Sequence, residues 1–248
     1  MTVETITVLA LLIFAAAMLY SSVGHAGASG YLAAMALLSV EPAVMKPTAL
    51  CLNILVASIA TYQFARAGCF SWRLFWPFAV ASVPAAYIGG AIVLPGGFYR
   101  PLVGALLLLA AVRLLFAKPP AADAQIKPPH LVLCLMAGAG IGLLSGLTGT
   151  GGGIFLSPLL LLMGWAETKQ TSGVSAAFIL VNSVAGLAGL LSSWVPLPSA
   201  IPLWAVAAVT GGLVGSHYGS RRLQSVALRR VLALVLVVAG LKLVTVAA

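Results

Sequence analysis

Apolar residues in this chain come in long unbroken runs, without the alternation of a half-buried strand or the one-sided stripe of a surface helix. Runs over residues 5–23, 47–65, 74–94 and 99–116 predict helices, and a second series does so over 131–147, 171–191, 200–219 and 226–246. Each is about 20 residues, the length that crosses a hydrocarbon core of ~30 Å. Two runs are interrupted. A Gly-rich break at 24–28 is followed by a short apolar segment at 29–40, and another at 148–153 by a short segment at 154–165. The one polar, Pro-rich stretch, KPPAADAQIKPP, reads as a linker within 118–130. The pattern predicts a single membrane domain over 1–248, with one half at about 5–117 and the other at about 131–248.

The two halves repeat each other. SSVGHAGASGYL stands 125 positions before GLTGTGGGIFLS, so that Gly24 aligns with Gly149 and Gly27 with Gly152. The same offset pairs Pro77 with Pro202 and Gly90 with Gly215. An offset of 129 pairs Asn53 with Asn182 and Arg100 with Arg229, as small insertions between the halves would produce. Two hydrophobic halves with matching broken helices are the sequence mark of a secondary transporter.

Composition agrees with the pattern. Hydrophobic residues make up 62% of the chain and charged residues 7%, and mean hydropathy is +1.13, which excludes a soluble domain with a solvated surface. Glu4 and no Lys or Arg precede the first apolar run, so it lacks the basic flank of a signal peptide and is expected to be retained. Cys51, Cys69 and Cys134 are odd in number and unclustered, which suggests buried free thiols and supports neither a disulfide framework nor a metal site.

The basic residues test orientation. If each broken segment crosses once, the halves are parallel and the positives divide 6 to 7 between the faces. If each break is the tip of a hairpin whose short arm returns, the halves are inverted. Arg66, Arg73, Arg113, Lys118, Lys127, Lys169, Arg221, Arg222, Arg229 and Arg230 then share one face, with Lys46, Arg100 and Lys242 opposite, a 10 to 3 split. The second arrangement is the expectation. It is an all-α integral membrane protein, a polytopic bundle of two inverted repeats, each with a Gly-broken helical hairpin, with the linker cytoplasmic and both termini outside. It also accounts for the net charge of +9, since the positives border spans and no soluble domain exists to carry nucleic acid.

Non-helical backbone at membrane depth is tolerated only against protein or a water-filled cavity, so paired breaks predict a shared polar cavity. Where each short segment begins, unpaired N–H groups carry partial positive charge, and two such ends converging make an anion site. Gly27, Ala28, Ser29 and Gly30 form one end, and Gly151, Gly152, Gly153 and Ile154 the other, with Gly24 and Thr150 beside them as further candidate binding residues. Close packing of small residues in a membrane is the bland alternative for these glycines. Asn53 and Asn182 fall inside apolar spans, where an amide needs a partner, either a bound oxyanion or the hairpin backbone. Thr48, Thr171 and Ser172 open those spans, as caps or, for Thr171, as a further ligand group. His25 stands where the other half has Thr150, and serves either as an interior donor or as a group that meets the anion or carries a proton. His217, near a helix end, reads as interfacial.

The acids Glu4, Glu41, Asp123 and Glu167 all lie outside the predicted spans, so an intramembrane carboxylate relay is missing. Coupling then falls to His25, to the substrate's own proton, or to a cation such as sodium held by backbone carbonyls. Export driven by the membrane potential alone also fits. Trp72, Trp76, Trp165, Trp194 and Trp204 fall near predicted span ends, where an interfacial belt is the default. No paired carboxylates, His/Cys cluster or nucleophile and base set indicates an enzyme, a metal or a cofactor.

The segments GHAGASGYLAAMAL and KPTALCLNI in the first half, with GLTGTGGGIFLSPLLLLMG, TKQTSG and VNSVAG in the second, resemble the sulfite exporter TauE/SafE family of membrane permeases. The resemblance covers nearly the whole chain. It implies a multi-pass protein of the bacterial inner membrane that moves a small anion such as sulfite or a sulfonate, with the bilayer as its surroundings. The first break departs from the plainer Gly151 to Gly153 form by carrying His25, Ala26 and Ala28. An anion-selective pore, or a permease for a small carboxylate or another ion, is the competing expectation. Sequence leaves the oligomeric state open, a homodimer included.

Overall fold

A computed structural model describes residues 3–116, 129–193, 197–219 and 226–245. Linker residues 118–128, Trp194, Arg221 and Arg222 lie outside them, as do the side chains of Arg229 and Arg230. Ten helices and no strand occur among the described residues, and they follow the apolar runs closely. The first half holds α1 (Val3–Ser21), α2 (Ala28–Leu37), α3 (Pro42–Arg66), α4 (Trp72–Ala91) and α5 (Gly96–Phe116). The second holds α6 (Leu131–Thr148), α7 (Gly153–Leu162), α8 (Thr168–Ser192), α9 (Ile201–Gly219) and α10 (Val226–Thr245).

Backbone conformation repeats at the spacing read from the sequence. Gly24 and Gly149 have φ of 76° and 83°, and Gly27 and Gly152, each at the N-cap of a short helix, 110° and 81°. Only glycine adopts this left-handed region without steric cost. The short helices end alike as well. Val40 N–H donates to Met35 O and Trp165 N–H to Leu160 O, both at 2.9 Å, around Ser39 (φ 55°) and Gly164 (φ 64°). This is a helix end closed by a left-handed residue, and Ser39 takes the glycine's place in the first half. The offset between halves then changes by one: α3 and α8, both of 25 residues, start at Pro42 and Thr168. The register mate of Asn53 is therefore Ile179, and Asn182 lies one helical turn further along, which corrects the 129 offset for this pair.

Helix pairing is exchanged between the halves. Gly138, Gly142 and Gly146 of α6 lie so close to the backbone of Phe78, Ser82 and Ala86 on α4 that a methyl group would not fit. Gly211, Gly215 and Gly219 in the other half meet the backbone of Phe14, Met18 and Ser22 along α1 in the same way. With no hydrophobic drive between helices in lipid, such stripes supply the contact. Leu50 of α3 meets Gly186 of α8, while Ala60 and Phe64 cluster with Ala176, so these register mates run antiparallel. A methyl on Gly104 of α5 would stand 2.8 Å from Gly240 O, and one on Gly240 of α10 2.9 Å from Gly104 O.

Charge caps the frame. Lys46, buried at 6% exposure, donates from Nζ to Gly89 O, Gly90 O and Ile92 O at 2.9 to 3.2 Å, spending all three protons on the end of α4. Lys242 Nζ donates to Leu37 O at 2.7 Å and Ser39 Oγ at 2.9 Å where α2 ends. Lys46 shares a cavity with Arg100, and the residues that Lys242 holds lead directly into α3, so these three cations stand at one end of the bundle. Arg66 and Arg73 flank the far end of α3, and the start of α8, with Lys169, packs there through Gly173 against Cys69 O.

Among the described residues six helices, α1, α3, α4, α5, α6 and α8, are long and apolar enough to cross a membrane. The span expected at 200–219 falls short by that measure. In α9, Gly211, Gly212, Gly215, Ser216 and His217 dilute 19 residues, and the described apolar part of α10 is Leu236–Thr245. At 10 residues each, α2 and α7 rise only about 15 Å, half a hydrocarbon core. Trp204 departs from the expected belt. It is fully buried, its Nε1–H donating to Ile6 O at 3.3 Å, and it fills the seam between α9 and α1. Trp165 is buried against Phe78, whereas Trp72 and Trp76 are exposed.

Gly146→Ala is expected to push α4 and α6 apart at the Ala86 carbonyl, costing about 1–3 kcal/mol and several degrees of Tm. Gly140→Ala, in open space on the same helix, should leave Tm within about a degree. Thermal unfolding in detergent followed by size exclusion reads both.

Candidate functional site

Each helix break leaves carbonyls at the end of one helix and N–H groups at the start of the next. The carbonyls are met by side chains from elsewhere. Asn53 Nδ2 donates to Gly149 O at 3.4 Å, Tyr99 Oη to Thr148 O at 2.9 Å, and Tyr31 Oη to Ala26 O. The N–H ends are different: the first turns of α2 and α7 face one small internal cavity. Ala28 and Ser29 line it from α2 and Ile154 from α7, with Tyr20, His25 and Thr150 around them. Its volume of about 10 Å³ suits a single water. An oxyanion needs the tips to move apart.

His25 ties one tip to the other half. Its Nε2 lies 3.1 Å from Gly153 O and 3.1 Å from Ser157 Oγ, and Nδ1 lies 3.3 Å from Val23 O. Ser157 Oγ is also 2.7 Å from Ser175 Oγ of α8. On the opposite side, Thr150 Oγ1 lies 3.1 Å from Thr148 Oγ1. Several buried oxygens nearby find no hydrogen-bond partner among the described residues: Tyr20 Oη on the cavity wall, Asn53 Oδ1, Ser183 Oγ, Thr171 Oγ1 and Thr48 Oγ1. Unmet polar atoms inside a membrane protein are costly and mark where water or a ligand belongs.

The sequence-derived residues divide. His25, Gly27, Ser29 and Thr150 line the cavity, with Gly153 beside His25. Gly151 faces Asn53 Nδ2 and Ser183 Oγ, a step away. Gly24 instead lets the first break press on the Ser172 backbone, as Gly149 lets the second rest on Lys46. Gly152 faces Ile141 and Phe178, an apolar packing contact. Asn182 donates to Phe178 O of its own helix at 2.9 Å. Thr171 and Thr48 lie inside their helices, so neither is a cap; Glu41 and Glu167 hold the N-cap positions. Tyr20, Ser157, Ser175 and Ile179 escaped the sequence reading. The one available signal was Ser157, a hydroxyl in the otherwise apolar run GIFLSPLLLL.

Two larger cavities open at opposite ends of α3. One, of about 510 Å³, is lined by Glu41, Lys46, Tyr99 and Arg100, and Tyr99 links it to the Thr148 and Thr150 wall. The other, of about 850 Å³, is lined by Tyr62, Gln63, Arg66 and His217. The 25 residues of α3 put roughly 37 Å between its ends, and neither larger cavity shares a lining residue with the small one.

A polytopic helical bundle with a polar chamber between two broken helices is the architecture of membrane transport proteins. The profile described as Sulfite exporter TauE/SafE matches residues 9–243, and the chain belongs to that family. A probable membrane transporter protein of Sinorhizobium fredii (strain NBRC 101917 / NGR234), y4hK, is 43% identical over 238 residues, 95% of this chain and 96% of that protein. No solved structure matches significantly. Family and relative together support a transporter role in a multi-pass membrane protein.

Gly152→Ala forces a side chain to φ 81° and to 2.9 Å from Ile141 and Phe178, and is expected to cost about 1–2 kcal/mol and most of the transport. Gly68→Asn has a similar φ of 72° in open space away from the tips, and should leave both unchanged. Parallel Tm and flux measurements separate the two.

Proposed function

We propose that the protein is a secondary transporter that exports a small oxyanion, sulfite or an organosulfur anion such as a sulfonate, across the bacterial inner membrane. The observation that carries this reading is that the first turns of α2 and α7, from opposite halves, face one cavity. Both ends present N–H groups and partial positive charge to whatever lies between them. His25, Ser29 and Thr150 add polar groups suited to an oxyanion, and the family's name is that of a sulfite exporter.

The halves act as inverted repeats. The antiparallel run of α3 and α8, the exchanged pairs α1 with α9 and α6 with α4, and the matched left-handed glycines support that arrangement. In alternating access, one set of helices rocks against the other and opens the tips first to one vestibule and then to the other. A cavity of about 10 Å³ that shares no lining residue with either larger one favours a carrier over an anion pore, which would need a continuous path. The cytoplasmic face is assigned to the end with Arg66, Arg73 and Lys169.

Proteoliposomes loaded with sulfite or a small sulfonate should show saturable, anion-specific counterflow, and single-channel currents would instead identify a pore. In a Cys-free background, a cysteine at Lys169 should react from the cytoplasm and one at Arg100 from outside. Labelling of both from one side would refute the assigned topology.

A further inference from the structure

The proposed transport reading leaves the driving ion unassigned, and the inference here rests on that reading. We propose that His25 takes up a proton together with the anion, so that the two bind as a pair and cross as a pair.

The imidazole is placed so that only its doubly protonated form donates to both carbonyls beside it. Nδ1 faces Val23 O at 3.3 Å and Nε2 faces Gly153 O at 3.1 Å, and carbonyl oxygens only accept. A neutral ring carries one N–H, whereas an imidazolium carries two and meets both carbonyls. With Nδ1–H on Val23 O, the neutral ring turns a lone pair toward Gly153 O, and Ser157 must donate to Nε2 to fill it. Protonation thus completes the bridge between the first break and the second half.

An opposing term makes this proton conditional. The starts of α2 and α7 direct partial positive charge into the same chamber, which resists a further positive charge on the ring. An anion between the two ends reverses that field. No protein group among the described residues does so. Around the ring stand Tyr20 from α1, Ser29 from α2, Thr150 after α6, Ser157 from α7 and Ile179 from α8, with Ser175 of α8 behind Ser157, all uncharged. Of the chain's four acids, Glu4, Glu41 and Glu167 sit at helix starts away from the cavity, and Asp123 lies outside the described residues. The Lys46 protons are spent on α4. The transported anion is therefore the ring's counter-ion, and by linkage each ligand raises affinity for the other equally.

A hydroxyl chain supplies the proton. Ser157 lies 3.1 Å from Nε2 and 2.7 Å from Ser175, and Thr171, one turn earlier on α8, is buried with its Oγ1 unpartnered. Nε2 takes the Ser157 proton, Ser157 takes one from Ser175, and Ser175 takes one from a hydronium ion arriving past Thr171, which leaves as water. The net result is one proton moved to the ring. The register mates of Ser157 and Ser175 in the first half are Leu32 and Ala49, so the chain leads toward only one end of the bundle, that of Lys169.

The test is titration calorimetry on the purified full chain with methanesulfonate, which carries no titratable proton near neutrality, from pH 5.5 to 8.5. Wild type should take up about one proton per anion, and Kd should rise about tenfold per pH unit on the alkaline side. His25→Gln should bind with a Kd flat in pH. With sulfite, the contrast between wild type and His25→Gln is read instead. A wild-type Kd that does not change with pH, with no proton uptake, overturns the pairing while leaving transport standing. Absence of both binding and counterflow for either anion overturns the transport reading and this inference with it. Ser175→Ala lies outside the cavity and needs no proton release for counterflow. It should keep counterflow and slow net flux at least tenfold, and equal slowing of both would overturn the relay.

Discussion

The structure depends on one constraint: away from water, every backbone N–H and C=O must be met by protein. Breaking a helix in each half creates the problem, and for the second break the first half supplies the donors. Asn53 and Tyr99 from the first half hold carbonyls of the second break, and the ring of His25 reaches Gly153 O. Even the end of α4 is closed by a buried lysine. With those carbonyls met, the starts of α2 and α7 are left at the cavity, with Tyr20, His25, Ser29 and Thr150 as its polar wall.

Glycine performs two separable tasks in this frame. At Gly24, Gly27, Gly149, Gly151 and Gly152 it supplies a left-handed backbone that turns the chain at a tip. In the α6 and α9 stripes it removes a side chain so that helices touch through their backbones, where Cα–H groups approach carbonyl oxygens. The first task shapes the chamber and the second fixes the walls that hold it. A glycine count reveals neither, because the difference lies in φ and in what stands opposite.

Most of the helix plan was legible because a membrane span is a matter of length and hydropathy, and because glycines forced to positive φ recur in order. The breaks were placed within a few residues for that reason. Finer register was not legible. A loop longer by one residue shifts the second half, and the Asn53 and Asn182 match looked like a pair although the helices set them a turn apart. Trp204 sits near a span end in sequence, yet the glycine stripe of α9 draws its helix against α1 and buries the ring. Ser157, Ser175 and Tyr20 were invisible as a group, since nothing in the chain's order says that a serine on α7 and a histidine before α2 meet. That meeting is a product of the exchanged packing.

The exchanged packing also fixes an order of assembly. Helix α1 finds its glycine-striped partner in α9, and the indole of Trp204 reaches Ile6 across 198 positions of chain. During synthesis the face of α1 that later meets α9 lies against lipid or temporary neighbours until nearly all the chain has been inserted. The pair α4 and α6, separated by a single helix, can close much earlier. The α4 and α6 contact can therefore form well before the α1 and α9 contact.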